Sequence, residues 1–236
     1  MAFTVLLAAD PAGHAAFSHS ASLPDAPYLP AHISVPAERS GRILQLDPLH
    51  ITEQDVQELL SHFPAPRIIA LNGSVPLVSM DSFSRFLIAM GYPGDRIRSL
   101  RNNKLSYSSY VSSRKLAGMI AWHYEHEGMM PFLIGHSQGG MVVVKVLHEL
   151  AGSFRDSLAV YDPLRGEWEE RNFITDPATG MERPVLGLKI PFASAIATGK
   201  FMRVLLGQWS MISRLRKIPD TVEEFAGFSL QYDFIG

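Results

Sequence analysis

The chain has 236 residues, of which 47% are hydrophobic, and its formal net charge at pH 7 is -2. These values are typical of one soluble globular domain and exclude a disordered chain or a repeat array. Positive and negative charges are nearly balanced and no basic run occurs, so we expect a small-molecule partner and no binding to nucleic acid. The absence of cysteine excludes disulfides and thiolate sites, and it leaves both cytoplasmic and exported locations open.

Residues 1–40 are predicted to be a leader or linker with little regular structure. The first nine residues form a short apolar run without a preceding Lys or Arg, which is at best half of a secretory signal. Residues 10–40 are rich in Ala, Pro, Ser and His and show no periodicity. No apolar run is long enough to span a bilayer. Residues 41–236 are therefore predicted to form the folded domain.

Short apolar runs alternate with amphipathic stretches after residue 40. The predicted strands are 42–46, 67–71, 96–100, 131–134, 157–161, 189–193 and 228–233, and the predicted helices are 52–62, 81–90, 111–127, 138–151 and 221–226. Residues 172–185 are predicted to form a hairpin, and 195–218 a helical lid, within an insertion at about 163–219. The alternation predicts an α/β fold with a mostly parallel sheet and helices on both faces.

Residues 135–139 (GHSQG) match the pattern G-x-S-x-G between a predicted strand and a predicted helix. In this setting the chain turns sharply and raises the serine hydroxyl above the sheet, which predicts strained backbone at Ser137. Side chains at Gly135 and Gly139 would collide across the turn, and Gly140 lets the helix approach a neighbouring strand. Ser137 is the predicted nucleophile. The alternative is a glycine-rich helix start with an incidental serine.

Backbone N–H groups near this turn are candidates for stabilising an oxyanion. The Gln138 N–H lies at the positive end of the predicted helix dipole. A second donor is expected from a loop after an earlier strand, and Ser74 in the sequence LNGSV (71–75) has that position. An ordinary Asn-Gly turn leading into a helix cap is the alternative for this loop.

The strand, the GHSQGG turn, the helix, the upstream NGS loop and the later lid together resemble the α/β-hydrolase superfamily, in its lipase and esterase branch. The resemblance covers residues 67–234, and the turn is its most specific part. It implies Ser137 as nucleophile, Gln138 and Ser74 as oxyanion donors, and an acid and then a histidine further along the chain. Asn72 stands where many lipases have His, which leaves the subfamily open.

The histidines do not fit that order. Only His148 follows Ser137, and along a helix it would lie about 16 Å away, so we predict a helix-surface residue. His123 and His126 are predicted to be exposed, and their spacing is not that of a zinc-protease helix, so no metal site is expected. His136 is predicted to point away from Ser137 and to support the turn.

The predicted last strand places Asp233 best for the acid. Asp162 is second, although Asp162-Pro163 is also a common turn opener. The histidine is then expected beyond Gly236, so the sequence is interpreted as C-terminally incomplete, able to position Ser137 but inefficient in turnover. The leading hypothesis is hydrolysis of carboxylic esters, lipid esters included, through an acyl-enzyme and without a cofactor. The alternatives are a noncatalytic hydrolase-like binding domain and an acyltransferase with the same nucleophile.

Overall fold

The structure is a computed structural model that describes residues 36–74, 79–198, 211, 213–214 and 217–228. In chain order, the elements are α1 (Ala37–Ile43), α2 (Glu53–Glu58), β1 (Ile68–Leu71), α3 (Met80–Ala89), α4 (Ser113–Glu127), β2 (Phe132–His136), α5 (Gln138–Leu150), β3 (Tyr161–Asp162), β4 (Glu167–Trp168), β5 (Phe173–Thr175), β6 (Glu182–Pro184), β7 (Ile190–Ile196) and β8 (Val222–Phe228). Short 3-10 turns cover Leu60–His62 and Gly94–Arg96.

Four strands form the central sheet in the order β1-β2-β7-β8, and all neighbours run parallel. Tyr107 forms a single-residue parallel bridge beside Leu71 of β1. Its N–H donates to Ala70 O (2.8 Å), and its carbonyl accepts from Asn72 N–H (2.9 Å). The carboxyl ends of the four strands therefore meet at one edge, where β2 leads into α5.

Helices cover both faces of the sheet. Side chains alternate between the faces of a strand. Ile69 and Leu71 accordingly pack with α4 and α5, while Ile68 and Ala70 pack with Met80 of α3. β1 is buried on all four residues, as expected of a strand covered on both sides. The predicted α/β architecture with a parallel, doubly covered sheet is confirmed.

Local residue types account for two helix ends, and the predicted hairpin is confirmed. Thr52 and Asp55 form a capping box at α2, in which Thr52 Oγ1 accepts from Asp55 N–H at 3.2 Å. Gly128 ends α4 with a left-handed φ of 75°. The predicted hairpin is the antiparallel pair β5–β6, and Arg171 links it to α4 through an ion pair with Glu125 at 2.5 Å.

Four element predictions are wrong. Residues 42–46 continue α1 and the turn after it, and 96–100 form turns after the Gly94–Arg96 3-10 helix. Of 157–161 only Tyr161 is in a strand, paired with β4. Residues 222–226, predicted as part of a helix, belong to β8, because the parallel edge of β7 supplies its backbone partners. The hydrophobic pattern of a short segment is compatible with both a helix and a strand. Such a segment becomes a strand only where a neighbouring strand can pair with it.

α3 buries only part of its large apolar side chains. Phe83 and Leu87 pack against the sheet, whereas Phe86 is 59% exposed and Met90 is 43% exposed. Most of the predicted lid at 195–218 lies outside the described residues. Among the helices that are described, none is long and apolar enough to cross a membrane.

Candidate active site

Ser137 occupies the turn between β2 and α5 with φ 52° and ψ -116°. Its N–H donates to Ile196 O at 2.8 Å, and its carbonyl accepts from Gly140 N–H at 3.1 Å. The side chain makes no cap hydrogen bond to the helix. A non-glycine residue at positive φ costs on the order of 1–3 kcal/mol and persists only where its surroundings hold it. The backbone is thus fixed on both sides while the hydroxyl takes no part in capping.

The three glycines around Ser137 are required by contacts with backbone and a neighbouring strand. A Cβ on Gly135 would lie 2.5 Å from Gly140 N, and a Cβ on Gly139 would lie 2.6 Å from Asn72 O. A Cβ on Gly140 would collide with Thr198 Oγ1 and lie 3.0 Å from Ala195 Cβ in β7. The steric reasons expected for Gly135 and Gly140 are therefore present, whereas Gly139 is required by the backbone at the end of β1 and not by a contact across the turn.

The loop after β1 lies against Ser137. A Cβ on Gly73 would lie 3.3 Å from Ser137 Cβ, which places the 72–74 backbone beside Ser137. Asn72 holds this loop, because its Oδ1 accepts from Met80 N–H (2.8 Å) and its Nδ2 donates to Ser106 Oγ (2.9 Å). Asn72 thus positions the loop against the start of α3.

Near this turn, Ser74 Oγ, Gln138 Oε1 and Thr198 Oγ1 are buried and have no hydrogen-bond partner in the part of the chain that the structure describes. Buried polar atoms in native proteins are nearly always paired, so each exception calls for an explanation. Ser74 is in the loop beside Ser137, Gln138 begins α5, and Thr198 follows β7. Their clustering is typical of a site that a ligand or ordered water completes.

β8 ends at the same edge of the sheet. Phe228, its last residue, is paired with Ile196 and accepts a hydrogen bond from Ala197 N–H at 2.7 Å. Asp233 follows five positions later and lies outside the described residues. Asp162 closes the turn after β3, where its Oδ1 accepts from the N–H groups of Leu164 (2.7 Å) and Arg165 (3.1 Å). This contact fits the turn-opening interpretation of Asp162.

The predicted surface position of His148 is wrong. The residue is only 6% exposed, because the segment around Arg214 and Lys217 covers that face of α5. Nε2 donates to the carbonyl oxygens of both residues at 3.1 Å, and Nδ1 lies 3.0 Å from Ser153 Oγ. The imidazole is therefore fully engaged away from Ser137.

The predicted exposure of His123 is wrong as well. His123 is completely buried at the amino edge of the sheet, and Nδ1 lies 3.0 Å from Glu127 Oε1. Glu127 also pairs with Arg67 (2.7 Å) and Arg96 (3.1 Å). Burial lowers the pKa of His123. Burial also acts to raise the pKa of Glu127, but hydrogen bonds from His123 and Arg67 outweigh it and lower that pKa to about 2.

His126 is partly exposed, with a side-chain exposure of 45%. It stacks on Trp122 with a centroid distance of 3.9 Å, and its Nδ1 lies 2.8 Å from Trp122 O. Within the described residues, no group of three or more His, Asp or Glu side chains is arranged to hold a metal ion.

Comparisons of the chain with models of known protein families, with curated proteins and with solved structures find no match. Function is therefore inferred from the geometry around Ser137.

Two residues at this site were not predicted from the sequence. Asn72 was recognised only as an unusual residue in the loop, although a polar side chain directly after a buried strand is a signal of a positioned loop. Thr198 carries no local signal, since it reaches Gly140 only through the pairing of β2 with β7.

Proposed function

We propose that the chain is a serine hydrolase of the α/β-hydrolase type that cleaves carboxylic esters through an acyl-enzyme on Ser137. The observation that carries this proposal is the positive φ of Ser137 at the start of α5, with the Gly73 backbone against its Cβ. Strain of this kind clusters at functional sites, and this turn presents a serine hydroxyl above a sheet edge.

In the first step, Ser137 Oγ bonds to the ester carbonyl carbon and its proton passes to a general base. The carbonyl oxygen becomes an oxyanion, for which the N–H groups of Gln138 and Ser74 are the proposed donors. The N-terminus of α5 adds a favourable electrostatic field. The bond to the alcohol oxygen then breaks, and the alcohol leaves with the proton that the base had taken.

In the second step, water adds to the acyl carbon, its proton passes to the base, and Ser137 Oγ leaves and is reprotonated. The products are one carboxylic acid and one alcohol. Asp233 is the proposed acid that orients the base. The imidazoles of His123, His126 and His148 have partners away from Ser137, and we propose as the base a histidine outside the described residues.

The test is labelling of the purified full-length protein, so that the proposed base is present, with a fluorophosphonate probe, followed by peptide mass spectrometry. We expect modification at Ser137, its loss in Ser137→Ala, and its retention in the matched control Ser157→Ala, an exposed serine. Release of p-nitrophenol from p-nitrophenyl butyrate should show the same dependence on Ser137. Equal modification of many serines, or none at Ser137, would contradict the proposal.

The acyl acceptor is tested separately. With an ester substrate and a competing alcohol, hydrolysis gives the free acid, whereas an acyltransferase gives the new ester. We expect the free acid as the main product.

A further inference from the structure

The turn of the β3–β4 hairpin, residues 163–166, lies beside a loop that is distant from it in the chain. Arg165 is in this turn and is exposed. Arg101 reaches the same turn from the loop that precedes Tyr107, because a Cβ on Gly166 would lie 2.6 Å from Arg101 Nη1. Two basic side chains from separate segments therefore meet at the tip of the hairpin.

The first turn of α4 brings two more basic side chains to the strands of this hairpin. The guanidinium carbon of Arg114 lies 4.7 Å from the ring centroid of Trp168 in β4. Lys115 Nζ lies 4.4 Å from the ring centroid of Tyr161 in β3. These cation–π contacts hold both side chains against the hairpin. The four residues that form this basic hairpin surface are Arg101, Arg114, Lys115 and Arg165.

Positive charge is in excess on the basic hairpin surface. The two carboxylates of the hairpin belong to Asp162 and Glu167, and they lie 3.7 and 3.9 Å from nitrogen atoms of Arg165. Among the residues that the structure describes, the other three basic side chains form no ion pair with a carboxylate. Four cations thus stand against two carboxylates, which favours an anionic partner.

Exposed apolar side chains are interspersed with these charges. Leu164 precedes Arg165 in the turn and is 55% exposed, and Trp168 is 40% exposed. Leu100 precedes Arg101 and is 38% exposed. Protein surfaces that bind nucleic acid are strongly polar, so exposed leucines contribute little there. At a bilayer surface, in contrast, such leucines enter below the headgroups, and tryptophan prefers the interface itself.

We propose that the basic hairpin surface docks the protein on an anionic lipid bilayer. The arginines pair with headgroup phosphates, while Leu164 enters the boundary between headgroups and acyl chains. The sequence contains no basic run, so this surface exists only because the fold assembles the loop around Arg101, the start of α4 and the hairpin. The docking does not depend on the reaction proposed for Ser137.

The test is sedimentation of the full-length protein with vesicles made of equal parts phosphatidylglycerol and phosphatidylcholine, compared with vesicles of phosphatidylcholine alone. We expect binding to the anionic vesicles to be tighter by about tenfold or more and to weaken as salt is added. Equal binding to both kinds of vesicle, or to neither, would overturn the proposal, as would binding to single-stranded RNA in place of vesicles. Ser137→Ala should bind as the native protein does, which separates this result from the proposed catalysis.

Variants with matched controls locate the charges responsible. Each basic residue near an anionic bilayer contributes about fivefold to binding, so Arg101→Gln combined with Arg114→Gln should weaken it about twentyfold. The control combines Arg39→Gln on α1 with Arg85→Gln on α3, two exposed arginines away from the hairpin, and should change binding less than about threefold. Urea unfolding checks that both double variants fold. Equal losses in the two folded double variants would overturn the proposal.

The apolar contact is tested at the hairpin itself. Leu164→Ser should weaken binding about fivefold, because a leucine that enters the boundary loses its contact with lipid. Leu49→Ser is the control, since Leu49 is 87% exposed and lies outside the hairpin. Vesicles should shift the tryptophan emission to shorter wavelength, and Trp168→Phe should abolish this shift. An unshifted emission in the native protein, or a shift that persists in Trp168→Phe, would place the contact elsewhere and overturn the proposal.

Discussion

Replacement of Ser137 by glycine should leave the protein more stable than replacement by alanine. Both variants lack the hydroxyl, which makes no cap hydrogen bond in the native protein. They differ only in the Cβ, which alanine retains at a φ of about 52°. Glycine adopts positive φ without steric cost.

The size of the effect follows from two opposing terms. Alanine keeps strain of about 1–3 kcal/mol at this position, whereas glycine loses about 0.5–1 kcal/mol through the greater freedom of the unfolded chain. The free energy of unfolding of the glycine variant should therefore be higher by up to about 2.5 kcal/mol.

Helix N-caps favour glycine over alanine in any case, so a reference pair is needed. Ser112 is the N-cap of α4 and has an unstrained φ of -62°. Urea unfolding of the glycine and alanine variants at both positions gives the excess at Ser137, which we expect to be about 1 kcal/mol or more. An alanine-to-glycine difference at Ser137 no larger than that at Ser112 would refute the strained turn.

Three further predictions concern stability. Glu127→Gln should cost about 3–5 kcal/mol because it leaves Arg67 buried without its carboxylate. The folded pKa of Glu127, about 2, lies below its ordinary value of 4.5, so its stabilisation of the protein is present above pH 4.5 and is lost as pH falls toward 2. The free energy of unfolding, measured with urea, should therefore depend less on pH between 4.5 and 2 in Glu127→Gln than in the native protein. An equal pH dependence in both proteins would contradict the ion network. Gly139→Ala should lower the free energy of unfolding by more than about 3 kcal/mol, because the new Cβ collides with backbone. Gly41→Ala is the control, because no atom lies within 4 Å of its new Cβ. That variant should raise the free energy of unfolding by up to about 1 kcal/mol, measured by thermal or urea unfolding. His148→Ala should lower the free energy of unfolding by about 2–4 kcal/mol, because buried hydrogen bonds are lost. The rate at which the fluorophosphonate probe labels Ser137 should not change. Slower labelling of the folded variant would show that His148 acts at the site.

The part of the site that the sequence predicts is encoded locally. The φ of Ser137 and the need for Gly135 arise within a few residues, where a strand must turn directly into a helix, whereas Gly139 is required by the backbone of Leu71 and Asn72. The left-handed Gly128 at the end of α4 is another local rule. Such features need no knowledge of distant contacts, so a pattern of residue types is sufficient.

The failures depend on distant partners. His148 is buried by a hydrogen bond to Arg214 O, 66 positions away. Arg67 and Glu127 pair across 60 positions, and burial of His123 depends on that pair. The β conformation of 222–228 requires β7 beside it, since Val222 and Phe225 are three positions apart with two glutamates between them, a spacing that is compatible with a surface helix. Local periodicity carries no information about these contacts.

The pairing of β2 with β7 also governs when the site can form during folding. The two strands are neighbours in the sheet, yet 53 residues lie between them in the chain. Contacts across such a long loop form slowly, because loop closure must precede the stabilising contacts. Ser137 N–H bonds to Ile196 at the end of β7, so its strained turn is not held until that late step. A refolding chain should thus acquire native secondary structure before the turn at Ser137 takes its native conformation.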